Sequence, residues 1–459
     1  MAVRSDEVRV LSPNGNLGYG FPTASLDAGL RERPHAIGAD GGSTDVGPYY
    51  LGAGVSFTGR EAVKRDLRLL LLGARELGIP LVVGSCGGGG GDPHLESVIE
   101  VTREIASEED LHFRLALIHS EQDPDTIRAA HRAGKIAPLS GAPPMTDESV
   151  TSAARIVGQM GYEPIQAALE EGADVVLAGR ACDVSIYAAV PILRGCDIGL
   201  AIHAAKIIEC GAYCAVPSSA TDCMLASVHA DDFVLRALNP DRQVTAISAA
   251  AHSLYEQAHP ARIVEPVGVV ELDSARFEEL GDGTVRVSGS TFTRADHYTV
   301  KLEGVRLVGY RAVSLAGVRD PIAADGLESC LEAARVRVAD VFGSPGEAYS
   351  YDVRTHIYGR EHHRQPGSES GNGAMTGVDV ALALEVVAET QALAQQICSL
   401  ARSTMLHHDY PGRLAVGGNL ALLFSPHDVA WGAAYEFTIY HVWEVSDPLA
   451  PFPIEFREL

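Results

Sequence analysis

The chain has 459 residues, enough for two domains or one large domain with additions. Its 46% hydrophobic and 21% charged residues exclude a disordered chain or a coiled coil. Asp plus Glu number 60 against 36 for Lys plus Arg, and this net charge of -24 repels phosphate backbones and anionic lipid, so neither nucleic acid nor a membrane is expected as partner.

Residues 1–10 contain no apolar stretch of the signal-peptide kind, and no segment offers the roughly 18 to 20 uninterrupted apolar residues of a membrane span. Glu61 to Leu77 places Val63, Leu67, Leu70, Leu71, Ala74 and Leu77 at helical spacing, with Gly78 as C-cap. Pro80 to Gly84 (PLVVG) reads as a buried strand. Phe113 to His119 is expected as a strand and Asp125 to Ala133 as a helix. Asp147 to Met160 follows as a helix capped near Thr146, and Asp174 to Gly179 as a strand. These repeated βα units predict an α/β fold, a mostly parallel sheet flanked by helices, over residues 1–258.

From 259 to 459 the texture changes. Glu265 to Leu272, Thr284 to Ser288 after the turn Gly281-Asp282-Gly283, Tyr298 to Leu302 and Val305 to Ala312 read as antiparallel strands. Leu327 to Val341 is expected as a helix, Gly377 to Thr404 as a long apolar helix and Leu420 to Val445 as a strand pair. This half is predicted to be a second, α+β domain. Eight cysteines, Cys86, Cys182, Cys196, Cys210, Cys214, Cys223, Cys330 and Cys398, are scattered over the chain, several in apolar runs. That usage suits a reducing, cytoplasmic setting.

In an open parallel sheet the ligand site lies beyond the carboxyl ends of the strands, and four strand-end loops carry chemistry. In Gly38 to Gly47 (GADGGSTDVG), Asp40 and Asp45 can exchange a proton, ligate a metal or make turns, and Ser43 and Thr44 lie between them. In Gly84 to His94 (GSCGGGGGDPH), Ser85 and the backbone of Gly87, Gly88 and Gly89 can face an anion. The spacing matches neither the P-loop nor the dinucleotide fingerprint. Cys86 is a nucleophile there only if its thiol is activated, and Asp92 with His94 forms a polar pair suited to acid–base work. The third loop, His119 to Gln122, supplies His119 beside Glu121. In the fourth, Gly179 to Asp183, Arg180 can clamp a carboxylate and Asp183 can orient it, or the two can form a structural ion pair. Cys210 and Cys214 lack the partners a zinc site requires. The histidines His356, His362 and His363 with Arg364, and His407 to Asp409, are solvated loops, subunit contacts or parts of a closure over the site.

Taken together, these loops resemble one family. GADGGSTDVGPYYLG (Gly38 to Gly52), KRDL (Lys64 to Leu67), IPLVVGSCGGGGGDPHL (Ile79 to Leu95), LAGRACD (Leu177 to Asp183), IIECGAYC (Ile207 to Cys214), HPARIVEPVGVVEL (His259 to Leu272) and LFSPHDVAWGAAYEF (Leu423 to Phe437) are similar to the acyclic terpene utilisation (AtuA) family. The DGGSTD loop resembles one branch of it. The resemblance implies catabolism of branched acyl-CoA or carboxylic acids and a possible small companion subunit; it assigns no catalytic residue.

The residues lead to an enzyme acting on a small carboxylate or acyl-CoA, of lyase or hydratase type. The Gly87 to Gly91 loop would hold an anionic group and Arg180 a carboxylate, while Asp40, Asp45, His94 or His119 would move the proton. The cofactor is left unidentified; a divalent metal would draw on Asp40, Asp45, His94 and Glu121. The alternatives are a hydrolase using Cys86 or a metal-activated water, and a non-catalytic metabolite-binding subunit. A homo-oligomer is expected.

Overall fold

The computed structural model describes residues 7–359, 380–413 and 416–459. The chain divides into two compact units, Met1–Arg306 with Phe437–Leu459, and Leu307–Glu436.

The first unit is α/β. Its strands begin with β1 (Val8–Ser12), β2 (Ala36–Asp40), β3 (Leu81–Gly84), β4 (Arg114–Ile118), β5 (Ile136–Pro138), β6 (Arg155–Gln159) and β7 (Val175–Ala178). Five of them pair in parallel in the order β1-β2-β3-β7-β4. Antiparallel strands extend this core to ten. Met224–Val228, Asp232–Ala237, Thr284–Ser288 and Arg276–Glu279 lie beyond β1, and Ile454–Glu458 beyond β4.

Every residue of β2, β3 and β7 is buried, because helices cover both faces; that is why these strands read as unbroken apolar runs rather than alternating ones. Leu81 and Val83 pack with Leu67, Leu70 and Ile99 of the helices Arg60–Leu77 and Asp92–Glu109. Val82 points the other way, into a core with Ile186 and Tyr187 of the helix Asp183–Leu193 and Leu200 and Ile207 of the helix Ile198–Ile208. Gly84 permits that second layer its close approach: a Cβ there would lie 2.3 Å from Ile186 Cδ1.

A long strand, Tyr298–Val318, contributes to both units. In the first, Lys301 to Val305 pair antiparallel with β6. In the second, Tyr310 to Val318 pair with Val380–Ala388, which pairs with Tyr351–Tyr358. The helices Leu327–Phe342 and Gln391–His407 cover one face of this second sheet. Among the described residues no helix is long and apolar enough to cross a membrane.

Several elements differ from expectation. Gly377 to Thr404 is not one helix: Val380–Ala388 is a strand and the helix is Gln391–His407, with Thr390 as its N-cap. Val380, Leu382, Leu384, Val386 and Ala388 are buried and alternate with more exposed residues. Because most of those alternate residues are themselves apolar, the period of two is masked in the sequence. Asp147 to Met160 is likewise two elements, a short helix Asp147–Thr151 with a Thr146–Ser149 capping box, then β6. The predicted strands Tyr298 to Leu302 and Val305 to Ala312 are one continuous strand, because Gly304 between them stays in register with Ile156 of β6. Glu265 to Leu272 is the tight turn and second half of a hairpin, Arg262–Glu265 with Gly268–Glu271.

Candidate active site at the carboxyl ends of the parallel strands

The loops after β1, β2, β3 and β7 meet over one end of the parallel core. Ser85, just past β3, has a positive φ of 44° and a fully buried hydroxyl. Its Oγ donates to the Ala181 carbonyl (3.2 Å) and accepts from Arg180 Nη1 (3.1 Å). Past β2, Asp40 is buried and its Oδ1 accepts from the Gly42 amide at 3.2 Å. The glycine run after β3 is buried throughout and folds back on itself, with Gly88 N donating to the Ser85 carbonyl (2.8 Å) and Gly90 N to that of Cys86 (3.2 Å). At Gly90 φ is +68°, and a Cβ would sit 2.2 Å from Arg180 N. The glycines therefore let one strand-end loop pass against another.

Arg180 is itself buried. Its Nε donates to Glu303 Oε2 at 2.8 Å, and Glu303 Oε1 is 2.7 Å from Lys301 Nζ, which lies over the Tyr440 ring at 4.6 Å. Burial alone would push the Glu303 carboxyl up, but Arg180 and Lys301 outweigh it and bring it down to about 2. Glu303 is thus a fixed counter-charge. Asp183, at the start of the helix after β7, places Oδ1 3.6 Å from Arg180 Nη1 and is 31% exposed. Burial and the nearby Asp183 charge hold Asp40 well above the usual carboxylate range, and burial likewise raises Asp183 against the pull of Arg180.

Four further residues join this cluster. Lys206 and Glu209, at the end of the helix Ile198–Ile208, form a buried ion pair. Glu265, at the end of its strand, accepts from the Cys182 thiol at 2.9 Å. Burial raises Glu265 to about 7 and Glu209 to about 8, the latter against the pull of Lys206; Asp183 adds to both. Although burial disfavours charge on Lys206, Glu209 beside it keeps the ammonium protonated. Acidic groups that titrate near neutral pH in one place are the hallmark of a proton-transfer site.

The remaining sequence candidates lie elsewhere. Ser43 caps the single turn Thr44–Val46 and donates to Asp45 Oδ2 at 3.0 Å; Thr44 is buried and Asp45 exposed. Cys86 lies fully in the core, where burial pushes its thiol up. His94 is also a core residue beneath the glycine run, with Nε2 2.9 Å from the Tyr50 carbonyl and its pKa lowered by burial. His119 pairs with Asp92 (Nδ1 to Oδ1 2.8 Å), a contact that raises its pKa. With Glu121 and Arg155 these two line a separate open cleft of about 410 Å³. Among the described residues no group of three or more His, Cys, Asp or Glu is placed to hold a metal ion, so Asp40, Asp45, His94 and Glu121 do not form such a set. In the second unit, His356 lies on an exposed strand with Nε2 2.8 Å from Glu385 Oε2, and His407 to Asp409 follow the end of a helix. His362, His363 and Arg364 lie outside the described residues.

Sequence reasoning missed Lys206, Glu209, Glu265 and Glu303. A signal was present: each lies in a mostly apolar run that carries two charges (HAAKIIECG, RIVEP, VKLEGV), and such charges are rarely buried without a reason.

A family model described as acyclic terpene utilisation family protein AtuA matches residues 62–415. No curated protein and no solved structure matches the chain.

Proposed function

The chain belongs to the acyclic terpene utilisation (AtuA) family, which points to a catabolic role, and from that premise we propose an enzyme of carboxylic-acid or acyl-CoA breakdown. Its reaction is of the lyase or hydratase kind, with a proton moved next to a carbonyl. The observation that carries this reading is the cluster of Asp40, Asp183, Glu209 and Glu265 around Arg180 and Lys206, in which burial raises every acid, Glu265 to about 7 and Glu209 to about 8.

In the elimination direction a carboxylate removes the proton from the carbon beside the carbonyl. A protonated carboxyl then gives its proton to the departing hydroxyl; the C–O bond breaks, the C=C bond forms and water leaves. Asp40, whose carboxyl burial raises well above the usual range, suits the acid, and Asp183, beside Arg180, suits the base. Arg180, held by Glu303, and Lys206 are the cations nearest an enolate or a substrate carboxylate. A cytoplasmic setting, an oligomer and a small companion subunit belong to the same reading. A Cys86 hydrolase is disfavoured by the buried, raised thiol.

The test is exchange of the hydrogen beside the carbonyl in heavy water, followed by NMR over a panel of short carboxylic acids and thioesters. Exchange with the wild type and a loss of about 100-fold or more in Asp183→Asn is expected. Exchange that survives in Asp183→Asn removes Asp183 as the base.

A further inference from the structure

Three side-chain oxygens at this site accept no hydrogen bond although they are shielded from water: Glu209 Oε2, Asn16 Oδ1 and Asp183 Oδ1, the last 3.6 Å from Arg180 Nη1 and so too far for one. Glu209 and Asn16 are only 3% and 4% exposed. Glu209 is pinned by its other oxygen, on Lys206, so Oε2 has a fixed position. Asn16 comes from the loop after β1. Its Oδ1 faces the Asp40 turn, since a Cβ on Gly42 would lie 2.9 Å from it and the Gly42 amide is the one bonded to Asp40.

Buried polar atoms are nearly always paired, and an ion pair kept only for stability has no reason to leave one carboxyl oxygen bare. Three bare oxygens on three separate elements, next to the groups proposed to move the proton, specify what a ligand must bring. The Asn16 carbonyl accepts hydrogen bonds and donates none. The two carboxyl oxygens accept when ionised and one of each pair donates when protonated. A hydroxyl, with one donor and two acceptor lone pairs, satisfies an oxygen in either state. A ligand carbonyl leaves Asn16 unpaired, and a ligand ammonium faces Arg180 and Lys206.

We infer that this site is built for a polyhydroxylated carboxylic acid, with at least two ligand hydroxyls received by Glu209 Oε2, Asp183 Oδ1 and Asn16 Oδ1. The inference rests on the proposed chemistry only for the substrate's carboxylate; the hydroxyl recognition stands on the bare oxygens. It narrows the substrate from any acid or thioester to one decorated with hydroxyls close to the carbonyl. It also gives Asn16 and Glu209 a specificity role, because a buried acceptor left unpaired penalises analogues that lack the hydroxyl.

The experiment is isothermal titration of the full chain with gluconate, 2-deoxygluconate, 3-deoxygluconate and hexanoate, alongside heavy-water exchange on the same samples. Gluconate is expected to bind, at least one deoxy form to bind about tenfold or more weakly, and hexanoate weakest of all. Asn16→Ala and Glu209→Gln, checked for a native circular dichroism spectrum, should each weaken gluconate by about tenfold and narrow its preference over hexanoate. The ligand series decides the matter even where a variant fails to fold. Hexanoate binding as tightly as gluconate, both deoxy forms binding within about threefold of it, or no binding by gluconate overturns the inference. Hydroxyl-selective binding without hydrogen exchange sinks the proposed reaction and leaves the inference standing; exchange on hexanoate with no hydroxyl preference does the reverse.

Discussion

Replacing Gly90 by alanine tests whether the glycine run exists to let loops pass each other. At φ +68° an L-residue meets the left-handed penalty of about 1–2 kcal/mol. The added Cβ also falls 2.2 Å from Arg180 N and 2.5 Å from its Cα, so backbone rather than a flexible side-chain tip must give way. Overpacking of that kind costs about 1–3 kcal/mol more, for a sum of about 2–5 kcal/mol. Gly78 is the control. It ends its helix at φ +64°, and a Cβ there would meet nothing within 4 Å, so Gly78→Ala carries the conformational penalty alone. Both glycines lie in the same unit, and any separate transition of Leu307–Glu436 drops out of the comparison. Urea unfolding followed by circular dichroism should place Gly90→Ala below Gly78→Ala by at least about 1 kcal/mol. Equal losses would refute the claim that loop contact, rather than turn geometry, demands the glycine.

Glu303→Gln leaves Arg180 buried beside a neutral amide and should destabilise the chain by about 3–5 kcal/mol in the same assay; a loss under about 1 kcal/mol would show that Arg180 reaches water or another anion. The pH dependence has two opposite contributions. Glu303, depressed to about 2, adds stability above its ordinary value near 4.5 that is lost as pH falls toward 2. Glu265, raised to about 7, favours the fold below its ordinary value near 4.5 and loses that contribution as pH rises through 7. Glu265→Gln should therefore flatten the stability profile between about pH 4.5 and 7, and an unchanged profile would show that Glu265 ionises freely. Cys86 should resist iodoacetamide in the native protein by about 100-fold relative to the unfolded chain, read by peptide mapping; rapid native alkylation would reopen the hydrolase reading.

The parallel core was legible because its strands are buried on both sides, so PLVVG and DVVLAG stand out as short apolar runs closed by glycine. The same logic pointed to Asp40, Ser85, Arg180 and Asp183, which the structure places together where those runs end. It failed where periodicity is ambiguous. Ala381, Ala383 and Val387 fill the less buried positions of Val380–Ala388, and with them the alternation of a strand looks like the continuous apolar surface of a helix. It failed again at Glu209, Glu265 and Glu303, whose partners Lys206, Cys182 and Arg180 were read in other contexts or not at all. Glu303 meets Arg180 across 123 positions of chain, a pairing that only the register of Tyr298–Val318 on β6 brings about.

The strand Ile454–Glu458 runs against β4 from Ile118 to Arg114 and covers an edge that nothing nearer in sequence covers. Between the two, the whole contiguous unit Leu307–Glu436 must be synthesised. A growing chain thus carries a β7-β4 edge with open N–H and C=O groups while the intervening unit emerges. During that interval the nascent edge is open to pairing with a neighbouring chain, and a circular permutation that places Ile454–Glu458 ahead of β1, so that it is made before β4, is expected to raise the yield of correctly folded protein.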